Sequence, residues 1–383
     1  MANFMKRGKT WQYRVSYMDG QNQRQYVNKS GFATKRAAQE AAAEVERQYR
    51  RGADLGERSV TLLEYWDRWI KLYKSGKHAT VTEKRYGIIR RQLARHFGED
   101  QQLKTITKSD WQEFLNAYAA GEGRRNGLPR SKDSASKLNG YVRAMANAAV
   151  DDQIIFANFT SGAILSGEKG KASELKYLQT ADFKKLLSHA VAHASLDKVY
   201  NYIIATAVLT GARFSEVIGL DWPNVDLDKA VLHIRHTWDY NYHTGFAPTK
   251  NESSVRDVDI PQELVTLLRQ LKKEQQEYRL RAGYRDPYDL VFRNSQKEIP
   301  SNSAINKDLR MIEKKLAISP LITFHGLRHT HVSYLLSQGV DISYISHRIG
   351  HANIGITMTV YSHLLKDAER SQIKHTLEAL SIL

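Results

Sequence analysis

Cysteine is absent from the 383 residues, which excludes disulfides and thiolate metal sites and suits a reducing compartment. Long apolar runs are missing too. The longest lies around Tyr202 to Leu209, far short of the roughly 20 residues a membrane-spanning helix needs. The opening MANFMKRGKTWQY is basic but has no apolar stretch behind it, so no secretory signal is expected. Acidic residues are in deficit, with 41 Asp and Glu against 57 Lys and Arg, a formal charge of +16. No internal repeat and no low-complexity tract is present. These shortages describe a soluble, cytoplasmic protein with no membrane partner. Its excess of positive charge makes a polyanion the leading partner, because each phosphate neutralised releases condensed counterions.

What the chain does contain supports packed domains. Hydrophobic residues make up 42% and charged residues 26%, a balance unlike that of disordered chains. The length points to two or three domains. In residues 1–55, Trp11, Tyr13, Val15 and Tyr17 alternate with polar residues at the period of a half-buried strand. Asp19-Gly20 supplies a turn, Gln23 to Asn28 a returning strand, and Thr34 onward a helix through Ala38, Ala41 and Val45. Arg14, Arg24 and Lys29 are candidate DNA contacts on that sheet, the plainer reading being a solvated face.

Residues 58–160 read as an all-α domain after a linker at 52–59. Thr61 and Glu64 have capping-box spacing, in which each side chain satisfies a free backbone N–H at a helix start. An apolar stripe follows through Leu62, Tyr65, Trp66, Trp69, Ile70 and Tyr73. Further helices are expected from Glu83 to Phe97, from Ser109 with Gln112 at the box position, and from Ser134 to Val150. Arg85, Arg90 and Arg91 are candidate DNA contacts, although a charge run on a helix is usually a solvated face. Residues 160–172 look like a second linker. The remainder, 172–383, is expected to be mainly helical, with strands at Val231 to Ile234 and Val255 to Ile260.

Four segments of this last region carry cationic, imidazole and phenolic groups. In Thr210-Gly-Ala-Arg-Phe-Ser-Glu216, Gly211 ends one helix and Arg213 opens the next, with Glu216 three positions on. Taken alone, the pair reads as an ordinary surface ion pair. Lys250 sits in a polar turn, where lysines are normally just solvated. In Thr323-Phe-His-Gly-Leu-Arg-His-Thr330, His325 and Arg328 share one side of a helix. His329 lies four residues from His325, a metal-clamp spacing, but no Glu follows His325 and no third ligand is evident, so no metal is expected. In the fourth segment His351 follows Gly350, and Tyr361, one of 20 tyrosines, lies ten residues later.

Together these segments resemble the tyrosine recombinases, in particular the phage and integrative-element integrases. Arg213 in TG-x-R-x-x-E, His325-x-x-Arg328, Gly350-His351 and Tyr361 occur in the family's order, and Lys250 falls where the family has its hairpin lysine. The match spans about half the chain. Ile349 stands where leucine is commoner, and the His351–Tyr361 interval is one residue longer than in many relatives. Neither departure removes a functional group. The domains ahead of it look, in layout, like an arm-site-binding sheet unit followed by a core-site-binding helical domain.

The resemblance implies a multi-domain α+β chain: a small β-sheet-plus-helix unit, an all-α domain and a mainly α catalytic domain with a small antiparallel sheet. It implies strand cleavage and rejoining through a 3′-phosphotyrosine at Tyr361, without metal, nucleotide or other cofactor. Arg213 and Arg328 would fork onto the phosphoryl oxygens, His351 would donate to a non-bridging oxygen, His325 would be the general base and Lys250 the general acid. The implied partners are double-stranded DNA attachment sites in a bacterial chromosome, a homo-tetramer on two duplexes, and an accessory bending or directionality protein. The tail after Tyr361, with Ile373, Leu377, Leu380 and Leu383 at helical spacing, is expected to pack on a neighbouring protomer rather than its own. Competing readings are a non-catalytic DNA-binding protein, a metal-dependent nuclease and a type IB topoisomerase. The first needs no such side-chain set, the second needs clustered carboxylates this region lacks, and the separate amino-terminal sheet unit argues against the third.

Overall fold

The computed structural model describes residues 2–18, 24–50, 60–76, 80–170, 177–240, 242, 244–249, 251–361, 377 and 381. The chain divides into two compact units, Met1–Gly170 and Lys171–Leu383.

The first unit begins with an antiparallel sheet of three strands, β1 (Ala2–Arg7), β2 (Thr10–Met18) and β3 (Arg24–Phe32), in the order β1-β2-β3. Only the second and third were expected from sequence. The extra strand arises because Gly8, at φ +61°, lets the chain reverse between Arg7 and Thr10. Alternation along β2 then buries Tyr13, Val15 and Tyr17. Ala38 and Ala42 of α1 (Lys35–Arg50) are fully buried, and Ala42 joins Tyr13 and Val15 in the core beneath the sheet. Arg14 is exposed on the opposite face, 3.8 Å over the ring of Tyr26, and register puts Arg24 on that same face opposite Met18. Lys29 pairs with inward-facing Tyr13 and so does not share the Arg14–Arg24 face.

Four helices follow: α2 (Leu62–Tyr73), α3 (Thr80–Phe97), α4 (Lys108–Ala120) and α5 (Lys132–Asp151). The Thr61–Glu64 capping box forms as the spacing predicts, with hydrogen bonds of 2.8 and 3.2 Å. At α4 the box is instead Thr107–Asp110, earlier in the chain than expected. Gln112 is turned to another use, exchanging hydrogen bonds with the backbone of Ile164. Segment 160–170 is therefore attached to these helices, and Glu168 also pairs with Arg130 and Lys132 through the backbone. The core is aromatic-rich, built on Trp66, Trp69, Trp111 and Phe114. Arg85 and Arg91 are exposed on α3. Arg90 is tied to Asp67 at 2.9 Å and to Glu99 at 3.5 Å, so carboxylates already occupy its guanidinium.

In the second unit the organising element is α7 (Val199–Thr210), whose residues are buried all round rather than on one face. It packs against α6 (Thr180–Ala192), α9 (Gln262–Ala282) and α11 (Phe324–Ser337). Between them in sequence lie α8 (Phe214–Ile218), α10 (Asn302–Lys315) and a small antiparallel sheet. That sheet is ordered β4 (Val225–Asp226), β5 (Val231–Ile234), β8 (Arg256–Asp259), with a separate pair β6 (Thr237–Trp238) and β7 (Phe246–Ala247). After α11 come α12 (Ile342–Ile349) and a helical stretch over 354–361. Of the apolar tail positions, Ile373, Leu380 and Leu383 lie outside the described residues, and Leu377 is exposed. No helix among the described residues is long and apolar enough to cross a membrane.

Candidate active site

The site is assembled at the point where α7 ends. Gly211 adopts the left-handed conformation (φ +67°) that closes the helix, and its carbonyl is thereby aimed at α11. Arg328, on α11, donates from Nη1 to that carbonyl at 2.8 Å. Arg328 is 4% exposed, and its Nη2 has no hydrogen-bond partner among the described residues. Burial first, then the charge of Arg213, pushes its pKa down to about 9. A guanidinium held this way is short of negative charge, and an anion in the site would restore it.

Arg213 caps α8 and is fixed from three directions. Its backbone N–H donates to Glu216 Oε2 at 2.9 Å, and Nη1 donates to Glu216 Oε1 at 2.6 Å and Ser254 Oγ at 3.1 Å. Its Nη2 donates to the Gly350 carbonyl at 2.9 Å. Glu216 is 1% exposed; burial alone would raise its pKa, but Arg256 and Arg213 outweigh that and hold it below the usual carboxylate value. Arg256, on β8, reaches Glu216 Oε2 with Nη2 at 3.0 Å, the Arg348 carbonyl with Nε at 2.7 Å and the Ser254 carbonyl with Nη1 at 2.8 Å. One carboxylate thus braces two arginines, and the second arginine ties the end of α12 to the short turn Glu252–Ser254 ahead of β8. Arg256, Ser254 and Arg348 were not singled out from sequence; only their side-chain contacts reveal the frame they form.

Gly350 ends α12 at φ +68°, and a Cβ there would lie 2.9 Å from the Ser253 carbonyl. The turn delivers His351, whose Nδ1 is 2.8 Å from Thr357 Oγ1. With that hydroxyl donating, the ring proton sits on Nε2, free to donate elsewhere. Burial, then Arg328 and Arg213, holds the His351 pKa down to about 4, so the ring is neutral at pH 7. His325, on the first turn of α11, keeps one side open to solvent while the rest of the ring is shielded by the fold, and that partial desolvation, followed by the charges of Arg328 and Arg213, keeps its pKa below the ordinary imidazole value.

Tyr361 closes the site. It is 2% exposed and packs with Val332, Ile345 and Ile349. Burial pushes its phenol upward and the Arg328 charge offsets part of that. Its hydroxyl meets His329 Nδ1 at 2.7 Å, not His325. The ring of His325 stands edge-on to that of His329, with centroids 5.0 Å apart. The other histidine of α11, His331, is structural: it is buried between the Val208 carbonyl and Arg348, and its pKa is driven down to about 3.

The structure therefore brings Arg213, Arg328, His325, His351 and Tyr361 into one cluster from segments scattered over 213–361. Lys250 lies outside the described residues. Among the described residues no group of three or more His, Asp or Glu side chains is arranged to hold a metal ion. The chemistry available is that of cationic donors, imidazoles and a buried phenol.

Residues 176–368 match the model of the phage integrase family, and residues 3–49 match that of an arm DNA-binding domain. A XerC-like tyrosine recombinase of Caldanaerobacter subterraneus is 24% identical across all of this chain and 99% of its own length. The ICEBs1 integrase of Bacillus subtilis is 32% identical over 51% of this chain and 53% of its own. In three dimensions, a Tn1549 transposon integrase in complex with transposon right end DNA superposes with a TM-score of 0.68 at 19% identity, covering 82% of this chain and 99% of that one. The match from 176 to 368 takes in half of the chain and every side chain of the cluster, and the chain belongs to the phage integrase family of tyrosine recombinases.

Proposed function

We propose that Tyr361 attacks a DNA phosphodiester to give a 3′-phosphotyrosyl bond and a free 5′-hydroxyl, in a reaction that joins and releases a phage or mobile element at defined attachment sites. The single observation that carries this is the buried Arg328 Nη2 without a partner, on the residue whose charge also acts on the Tyr361 phenol. A buried unpaired guanidinium N–H costs stability unless something completes it, and a phosphoryl oxygen is the natural complement. Arg213 and Arg328 neutralise the charge that builds on the equatorial oxygens in the five-coordinate state, the task metal ions perform in other phosphoryl-transfer enzymes. His351 donates from Nε2 and His325 from the exposed first turn of α11. Lys250 protonates the departing 5′-oxygen.

Because the energy of the broken bond is kept in the phosphotyrosine, rejoining needs no ATP, and because the arginines supply the positive charge it needs no metal. The exposed Arg14–Arg24 face and the basic helical domain are the proposed arm-site and core-site surfaces. Arg85 and Arg91 are better placed for this than Arg90, which Asp67 already holds. Four protomers on two duplexes in a bacterial cytoplasm, with an accessory bending or directionality protein, complete the proposal.

The test uses a nicked duplex selected for binding from a random-sequence pool by the Tyr361→Phe chain. A covalent protein–DNA adduct should form in excess chelator without ATP, and only when Tyr361 is present. An adduct that requires a divalent ion, or that persists in Tyr361→Phe, would refute the proposal.

A further inference from the structure

We propose that His329, rather than His325, accepts the phenolic proton of Tyr361 when the nucleophile attacks. The inference rests on the reading of Tyr361 as the nucleophile and deepens it. Three features of the geometry support it. The Tyr361 hydroxyl lies 2.7 Å from His329 Nδ1, within the range a proton acceptor must reach. Tyr361 is almost fully buried, so bulk water cannot take its proton in this position. His325, by contrast, is exposed on the preceding turn and stands edge-on to His329 rather than against the phenol, which suits a donor to phosphate.

Helix geometry explains the division of labour. His325 and His329 are four residues apart on α11, so they stack along one face, and Arg328 precedes His329 by one residue. The helix thus presents a proton acceptor and a phosphate-binding cation side by side. The titratable and charged groups around His329 include Tyr361 on the helical stretch 354–361, His351 on the loop after α12, and His325 and Arg328 on its own helix.

Atoms and charge balance in this step. With the neutral ring protonated at Nε2, the Tyr361 O–H bond breaks and its proton passes to Nδ1, giving an imidazolium. The released oxygen pair forms the bond to phosphorus while the bond from phosphorus to the 5′-oxygen breaks. That oxygen takes a proton from the general acid assigned above to Lys250. Rejoining runs the sequence backward, and His329 returns its proton to the departing phenolate.

The experiment measures the single-turnover rate of adduct formation on the selected nicked duplex against pH, for the full chain, His329→Asn and His325→Asn. In His329→Asn the amide keeps an acceptor near the position of Nδ1 without the basicity of the ring. In the unaltered chain the rate should fall as pH is lowered through an imidazole titration. His329→Asn should cleave about 10²–10⁴-fold more slowly and lose that inflection, with duplex binding intact, whereas His325→Asn should keep it. A second measurement is independent of any His329 variant: the ¹⁵N signals of His329 should report an accepting Nδ1 that changes in Tyr361→Phe. Equal rates and profiles for His329→Asn and the unaltered chain, an inflection that follows His325, or His329 signals indifferent to Tyr361→Phe would each overturn the assignment. If the unaltered chain forms no adduct at all, the parent reading fails; if it does and His329→Asn matches it, only this inference fails.

Discussion

Gly211 and Arg328 meet across the second unit at 2.8 Å, the carbonyl that terminates α7 taking one nitrogen of the guanidinium and leaving Nη2 open. A planar fork holds the helix end and a phosphoryl oxygen together in a fixed geometry, whereas an ammonium offers a compact point charge without that fork. Arg328→Lys should therefore lower the rate of adduct formation about 10²–10³-fold while duplex affinity changes little. Parallel binding and single-turnover assays separate the two effects.

The Glu216–Arg256 pair predicts a different outcome. Both side chains are almost fully buried, at 1% and 2% exposure. Removing the cation strands part of a buried carboxylate, which typically costs about 3–5 kcal/mol. Arg256→Met should lower the stability of the second unit by that order in urea unfolding, and Arg256→Lys should recover part of it. An unchanged unfolding midpoint in Arg256→Met would contradict the bracing role.

Gly211 tolerates no side chain for two reasons. Its φ of +67° is unfavourable for other residues, and a Cβ would lie 2.7 Å from His331 Cδ2. Gly211→Ala should cost more than about 1 kcal/mol, and it should slow cleavage as well, because the displaced carbonyl is the anchor of Arg328. Denaturant unfolding and adduct formation on the same preparation test both halves.

Acid should weaken this unit at a mild pH. His351 and His331 are held neutral, with pKa values down to about 4 and about 3, against roughly 6.5 in an unfolded chain. The unfolded state binds protons that the folded state resists, so stability is full above about pH 6.5 and declines as pH falls toward 4. Urea midpoints at pH 7 and pH 5 should differ, and the gap should narrow in His351→Asn.

Much of this was legible in the sequence, for reasons that differ by element. Thr61 with Glu64 announces α2 because the box is a local contact, and Gly211 announces the end of α7 because few other residues adopt its backbone. Strand β1 was not legible. Its outer residues are exposed, and only Ala2 and Phe4 touch the core, too few to set up an alternation. The start of α4 was misplaced because Ser109 and Gln112 also satisfy the box pattern, and only the fold shows Gln112 drawn off to Ile164. In the site, spacing marked His325 and Arg328 as neighbours on one helix face. The choice between His325 and His329 as partner of Tyr361 depends on how the helical stretch 354–361 returns against α11, a long-range relationship that no local pattern encodes.

The central claim is a bond between the Tyr361 oxygen and a DNA phosphorus. Its most direct test is to trap the adduct, digest both polymers and locate the nucleotide by tandem mass spectrometry. The account predicts a single modified peptide carrying a 3′-phosphonucleotide on Tyr361. A nucleotide on any other residue, or one attached through its 5′-phosphate, would contradict it.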